Sequence, residues 1–143
     1  MHPMTPARNS FVVTPIGIIH SPFLTREGAP RQGRFSDALV TLEILPEFIE
    51  GLQDVEQQPH LIVLYWLDQS NQAALKATPP HTGIEHGVFA TRSPDRPNPI
   101  GIGVVDFVRR EGNRLFVRGL DALDGTPLVD IKPYSAAIDS VKE

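Results

Sequence analysis

Ile102-Gly-Val-Val-Asp-Phe-Val-Arg-Arg-Glu-Gly-Asn-Arg-Leu-Phe-Val-Arg-Gly-Leu120 sets two apolar, β-branched runs on either side of Glu111-Gly112-Asn113. Runs of this kind across a short Gly-Asn connection read as a β-hairpin. Asp106 and Arg118 fall on the alternate face of the two strands, 102–108 and 115–120. Because side chains alternate across a strand, one face packs inward and the other meets water or a partner.

The same pattern extends in both directions. Asp124-Gly125 opens a strand over Thr126–Ile131, and Val88–Thr91 reads as a short strand. His60–Leu67, HLIVLYWL, is continuously apolar and predicts a strand buried on both faces. Leu39–Leu45 alternates as a strand, and Val12–His20 reads as another, with Pro15 marking an edge or bulge. Pro46–Gly51 starts with Pro and stops with Gly, so it is a short helix at best. The expected fold is all-β: a single small antiparallel β-barrel, closed or nearly so, with long loops and little helix. Residues 1–10 form a flexible arm and 11–143 one domain.

A length of 143 residues suits one domain with a real core. The 14 prolines are about twice the usual share, which favours turns over helices. The chain has no Cys, so disulfides and thiolate metal sites are excluded. MHPMTPARNS has no apolar core, no run approaches a membrane span, and a cytoplasmic protein is expected. The net charge of −4 argues against a general nucleic-acid coat. Its distribution is uneven: residues 21–36 carry a balance of +2, and residues 41–57 a balance of −5. Ten of the 13 basic residues are Arg, whose planar fork suits anionic and planar groups.

Common enzyme signatures are missing. There is no P-loop and no Gly-x-Ser-x-Gly, and Gly101-Ile-Gly103 lacks the third glycine and the helix of a dinucleotide fingerprint. His81 and His86 are five apart beside Thr82-Gly83, a poor metal spacing, so no metal is expected. Thr91-Arg-Ser-Pro-Asp-Arg-Pro-Asn-Pro99 is unusual. Its prolines fix their own φ and hold Ser93, Arg96 and Asn98 extended. The result is a stiff ribbon presenting polar groups, either a braced connection or a binding loop that loses little entropy when used. Asp121, Asp124 and Asp130 are three carboxylates within ten residues, fit to hold a ribose or amine or to cap turns, and Lys132 can pair with one of them.

GVFATRSPDRPNPIG (87–101), LDALDGTPLVDIKPY (120–134) and Ala29-Pro-Arg-Gln-Gly33 together resemble the TsaA-like family of tRNA methyltransferase O-like proteins. Ile16–Pro22 and the start of His60–Leu67 fit as well, and the resemblance runs from about residue 11 to 139. It implies a homodimeric β-barrel methyltransferase that binds S-adenosylmethionine outside any Rossmann fold. It places the cofactor on Pro30, Arg31 and Gln32, on Asp68 and Gln69, on Arg92 and Ile102, and on the backbone of Leu120, Asp121, Ala122 and Leu123. Many members carry His where Asp68 stands. The substrate implied is threonylcarbamoyladenosine beside a tRNA anticodon, methylated on its exocyclic amine. By analogy with unrelated amino-methyltransferases, Asn98 and bare carbonyls of the proline loop hold that amine. Asp130 is a second catalytic candidate, and Arg96, Lys132 and Tyr134 are candidates for substrate binding. Longer members carry a C-terminal RNA-binding extension beyond the residues matched here. A small-molecule or other RNA acceptor, and a non-catalytic cofactor-binding module, are therefore open alternatives.

Overall fold

A computed structural model describes residues 9–26 and 36–142. Most of the expected 1–10 arm, and Pro30, Arg31 and Gln32, lie outside the described residues. The described residues form eight strands: β1 (Gly17–His20), β2 (Leu39–Ile44), β3 (His60–Trp66), β4 (Lys76–Ala77), β5 (His86–Gly87), β6 (Ile100–Glu111), β7 (Arg114–Arg118) and β8 (Pro127–Pro133). Six of them close a barrel in the order β1-β2-β7-β6-β3-β8, with β8 returning to β1. Every pairing is antiparallel. The strands β4 and β5 form a separate two-stranded ribbon.

The opening hairpin contains the longest strand, β6. Glu111 faces Arg114 across Gly112-Asn113, and Gly112 has φ +60. Asn113 is not left-handed, so the turn requires a glycine at its first central position only. The Asn113 amide donates to the Ile44 carbonyl at 2.8 Å, and Ile44 N–H donates back to Asn113 O at 2.9 Å, which ties the hairpin to β2. The register of β6 against β7 slips between Phe107 and Arg109. Such a bulge bends a strand and raises its twist, as barrel closure requires.

The core is aliphatic. Ile19, Val40, Leu42, Leu61, Val63, Val105, Leu115, Val117, Leu120 and Leu128 are fully buried. Each contributes about 1.5–3 kcal/mol by leaving water. In β3 the inward residues are Leu61, Val63 and Tyr65; His60, Ile62, Leu64 and Trp66 are only half-buried. This corrects the expectation of a strand buried on both faces. An apolar outer surface had made the run continuous. That surface continues across the register onto Ile102 and Ile100, about half exposed at 49% and 46%.

Residues 88–91 are not a strand. Val88–Ala90 is a turn of 3-10 helix, closed by the Thr91 N–H and hydroxyl, both donating to Val88 O. The barrel's pairing ring is already complete, so this apolar stretch has no ladder to join. Instead it buries Val88 alone. Pro46–Leu52 and Val55–Gln57 are also 3-10 turns, and one short helix, α1 (Ala136–Asp139), follows β8. Among the described residues no helix is long and apolar enough to cross a membrane.

Candidate functional site

One mouth of the barrel opens into a cavity of about 560 Å³, a size that suits a nucleoside-sized ligand. Four stretches wall it: Tyr65 and Leu67–Ser70 at the end of β3, Ile100–Val104 at the start of β6, Asp121–Leu123 after β7, and the proline loop from Thr91 to Asn98. The expected Asp68, Gln69, Arg92, Arg96, Asn98, Ile102, Asp121, Ala122 and Leu123 therefore meet in one place. Leu120, in the same segment, turns into the core and is fully buried.

The proline loop is held by its own backbone. Leu67 N–H donates to Pro99 O at 2.8 Å, which continues the β3–β6 pairing beyond Trp66 and Ile100. Ile100 N–H donates to Asn98 O at 2.7 Å, a tight three-residue turn around the buried Pro99. The Gln72 amide reaches Pro97 O at 3.4 Å. The carbonyls expected to be bare are thus engaged in positioning the loop, which corrects that expectation. Arg96 is engaged as well: its Nη1 donates to Thr91 O at 2.9 Å and to Ser93 O at 3.0 Å. The Asn98 side-chain amide, by contrast, bonds to no described residue.

Asp95 joins three loops. Its Oδ1 accepts from Arg26 Nη2 at 3.0 Å and from Asn71 N–H at 2.9 Å. The Arg26 hydrogen bond, then that backbone N–H, hold its carboxyl below the usual carboxylate range. A carboxylate with a depressed folded pKa stabilises the fold above its unfolded pKa of about 3.9 and loses that contribution as pH falls through the folded value. The tie should therefore persist at neutral pH and open only in acid. Asp95→Ala should speed hydrogen exchange at the Asn71 amide at pH 7 with little change in global unfolding, since an exposed ion pair contributes about 0–1 kcal/mol. Unaltered exchange at Asn71 would show that the loops do not depend on Asp95.

The segment after β7 is braced from behind. Ser21 Oγ donates to Ala122 O at 2.7 Å, Thr126 Oγ1 to Leu123 O at 2.6 Å, and Asp124 N–H to Phe23 O at 2.7 Å. Asp124 caps the Ser21 N–H at 3.0 Å, so this carboxylate serves the turn. Asp121 faces the other way and accepts from the Tyr65 hydroxyl at 2.7 Å. Burial first, then the adjacent Asp121 carboxylate, hold the Tyr65 phenol proton far above its ordinary range; Arg92 opposes this only in part. Tyr65 reaches Asp121 because its cross-strand partner is Gly101, where a Cβ would lie 2.3 Å from the Tyr65 ring. Sequence reading did not single out this tyrosine, since a Tyr in an apolar strand carries no motif. Gly101 ends the 87–101 motif and otherwise reads as part of a failed dinucleotide fingerprint.

The third carboxylate and two substrate candidates lie elsewhere. Asp130 and Lys132 line a second cavity of about 520 Å³ with the 46–52 turn, and it shares no residue with the first. Asp130 accepts from Ile131 N–H at 2.9 Å and pairs with Lys132 at 3.4 Å. Tyr134 packs edge-on to His60, with ring centres 6.2 Å apart. Among the described residues no cluster of His, Asp and Glu converges as a metal site.

Four polar side chains of the first cavity, Asp68, Gln69, Arg92 and Asn98, form no hydrogen bond to any described residue. Polar groups that converge on a cavity without protein partners are the usual preparation for a ligand. Comparison with known proteins shows what the whole chain is similar to. A "Probable S-adenosyl-L-methionine-binding protein" of Archaeoglobus fulgidus is 62% identical over 88% of this chain, which spans only 34% of that relative. An "S-adenosyl-L-methionine-binding protein" of the same organism is 52% identical over 92% of this chain and 95% of its own length. The human tRNA (adenine(37)-N6)-methyltransferase is 34% identical over 92% of this chain and 32% of its own. The crystal structure of TrmO from Pseudomonas aeruginosa superposes with a TM-score of 0.77 at 39% identity, covering 94% of this chain and 60% of that one. Residues 18–140 match the model of the tRNA-methyltransferase O N-terminal domain, and the chain belongs to that family.

Proposed function

We propose that the barrel-mouth cavity binds S-adenosylmethionine and that the protein methylates the exocyclic nitrogen of an adenosine beside a tRNA anticodon, in its threonylcarbamoylated form. The observation that carries this reading is the convergence of Asp68, Gln69, Arg92 and Asn98, whose side chains hydrogen-bond to no described residue, on one cavity that also has apolar walls. That set matches the chemistry of the cofactor. The Arg92 guanidinium suits its carboxylate, and the Asp68 carboxylate with the Gln69 amide suits its ammonium. Ile102, Ala122 and Leu123 offer an apolar bed for its adenine, with backbone from Asp121, Ala122 and Leu123 at the edge. Pro30, Arg31 and Gln32 complete the set in the reading by family. When bound, the cofactor supplies an electrophilic methyl group.

The acceptor nitrogen is a poor nucleophile, because its lone pair is delocalised into the purine. The protein's task is therefore positioning, to bring the nitrogen about 3–3.5 Å from the methyl carbon. Asn98 is fixed by the turn around Pro99, and its side-chain amide carries an acceptor and two donors. It can hold the amine N–H or the ring nitrogen beside it. Arg96, closed onto the loop's own carbonyls, keeps Asn98 in place.

Two further elements belong to this reading. A homodimer is expected, because the outer face of β3 and β6 is apolar and runs into the cavity through Ile100 and Ile102. tRNA would meet Arg26, Arg96 and Arg118, with Arg31 and Arg34 close to Arg26 in sequence. The reaction then belongs in the cytoplasm with its tRNA.

Two measurements test the reading. Incubation with methyl-labelled cofactor and tRNA from a strain lacking the enzyme should yield labelled threonylcarbamoyladenosine. Binding without turnover would leave a cofactor-binding module, and label on a metabolite alone would exclude tRNA as acceptor. Arg92→Ala should weaken cofactor binding in calorimetry by about tenfold or more, since a charge-assisted hydrogen bond contributes about 1.5–3 kcal/mol. Unchanged affinity would move the cofactor carboxylate to another cation.

A further inference from the structure

We infer that Asp121 takes the proton released from the acceptor nitrogen, and that Tyr65 is the residue that positions it. This rests on the methyl-transfer reading above and names the proton acceptor within it. A nitrogen that gains a methyl and returns to neutrality must lose its hydrogen. An amide such as Asn98 can hold that N–H but cannot take its proton. A carboxylate can do so, and Asp68 and Asp121 are the carboxylates that wall the cavity.

The structure distinguishes the two. Asp68 sits in the loop after β3 with no described partner to orient its side chain. Asp121 has one oxygen, Oδ1, fixed by the Tyr65 hydroxyl at 2.7 Å, while the residue itself lines the cavity. A carboxylate carries two acceptor oxygens, and among the described residues only one is taken. Tyr65 is buried at 4% exposure, packed on the strand opposite Gly101, so the anchor cannot swing. The tyrosine is itself a poor proton acceptor, since burial and Asp121 keep its phenol protonated. The charged groups facing the pair are Arg92 and, around the cavity, Asp68, Arg26 and Arg96. In the step, the nitrogen lone pair forms the bond to the methyl carbon, and the methyl–sulfur electron pair stays on sulfur. The N–H proton passes to the free oxygen of Asp121, which returns it to water. A carbamoylated nitrogen has a single N–H; the carboxylate takes it, and Asn98 donates to the neighbouring acceptors.

The test uses single-turnover methylation of tRNA that carries the threonylcarbamoyl group but not the methyl, cofactor calorimetry, and ultraviolet titration of tyrosine. Asp121→Asn, nearly isosteric, should slow transfer about 100-fold or more, the range of general acid–base effects. Cofactor affinity should be almost unchanged. Tyr65→Phe keeps the ring on Gly101 and removes only the hydroxyl; it should slow transfer about tenfold or more, and the double variant should be no slower than Asp121→Asn alone, because residues acting as a unit are not additive. In Asp121→Asn the most resistant phenol should titrate at lower pH than in the unsubstituted protein. Additive losses, or rate losses that track cofactor affinity, would overturn the inference while leaving the methyl-transfer reading standing. If the unsubstituted protein methylates no tRNA, both fall together.

Discussion

Asn98→Ala is expected to slow methyl transfer by about 100-fold or more, the usual cost of losing one oriented contact in a transition state. Cofactor affinity should be nearly unchanged, because the contact belongs to the second substrate. The structure sharpens this expectation. The Asn98 backbone already serves the loop: its carbonyl accepts from Ile100 N–H, and the adjoining Pro99 carbonyl accepts from Leu67 N–H. Truncating the side chain leaves both bonds in place, so the loop should hold its shape and the effect should appear in rate alone. Single-turnover kinetics beside calorimetry measure the two quantities separately. A variant that keeps its rate, or loses rate only as cofactor binding falls, would make Asn98 part of a cofactor clamp and leave the acceptor to other groups.

Gly101→Ala should be the most damaging small substitution at the site. Its Cβ would fall 2.3 Å from Cε2 and 2.5 Å from Cζ of Tyr65, a buried ring that cannot swing aside. Overpacking of this kind costs about 1–3 kcal/mol. The ring must shift, so the 2.7 Å bond from Tyr65 to Asp121 should also be lost, and with it the transfer rate. Gly87→Ala is the matching control. A Cβ there meets nothing within 4 Å and the backbone is ordinary, so its stability should change by less than about 0.5 kcal/mol. Denaturant unfolding of both variants checks this; equal stabilities would mean that Tyr65 relaxes freely and that Gly101 does not hold the site.

The sequence by itself determined the barrel's strands and the position of its longest hairpin. Alternation is a local property, and Glu111-Gly112-Asn113 permits little except a tight reversal. The family resemblance also pointed to most of the cavity wall; the proline loop shows its stiffness in consecutive residues, whereas the segment 120–123 is held by Ser21, Phe23 and Thr126. Four matters were decided only by tertiary structure. The run from His60 to Leu67 looked buried on both faces because sequence cannot distinguish a core face from an apolar surface that adjoins a cavity. Val88–Thr91 looked like a strand because local propensity does not record that the barrel's ladder is already closed. The carbonyls of Asn98 and Pro99 looked bare because their donors lie at the neighbouring Ile100 and at Leu67, just beyond β3. The three carboxylates of 121–130 looked equivalent by spacing. Only the fold turns Asp124 to a backbone cap, Asp130 to Lys132, and Asp121 to Tyr65, a residue 56 positions earlier that reaches it because the facing residue is glycine.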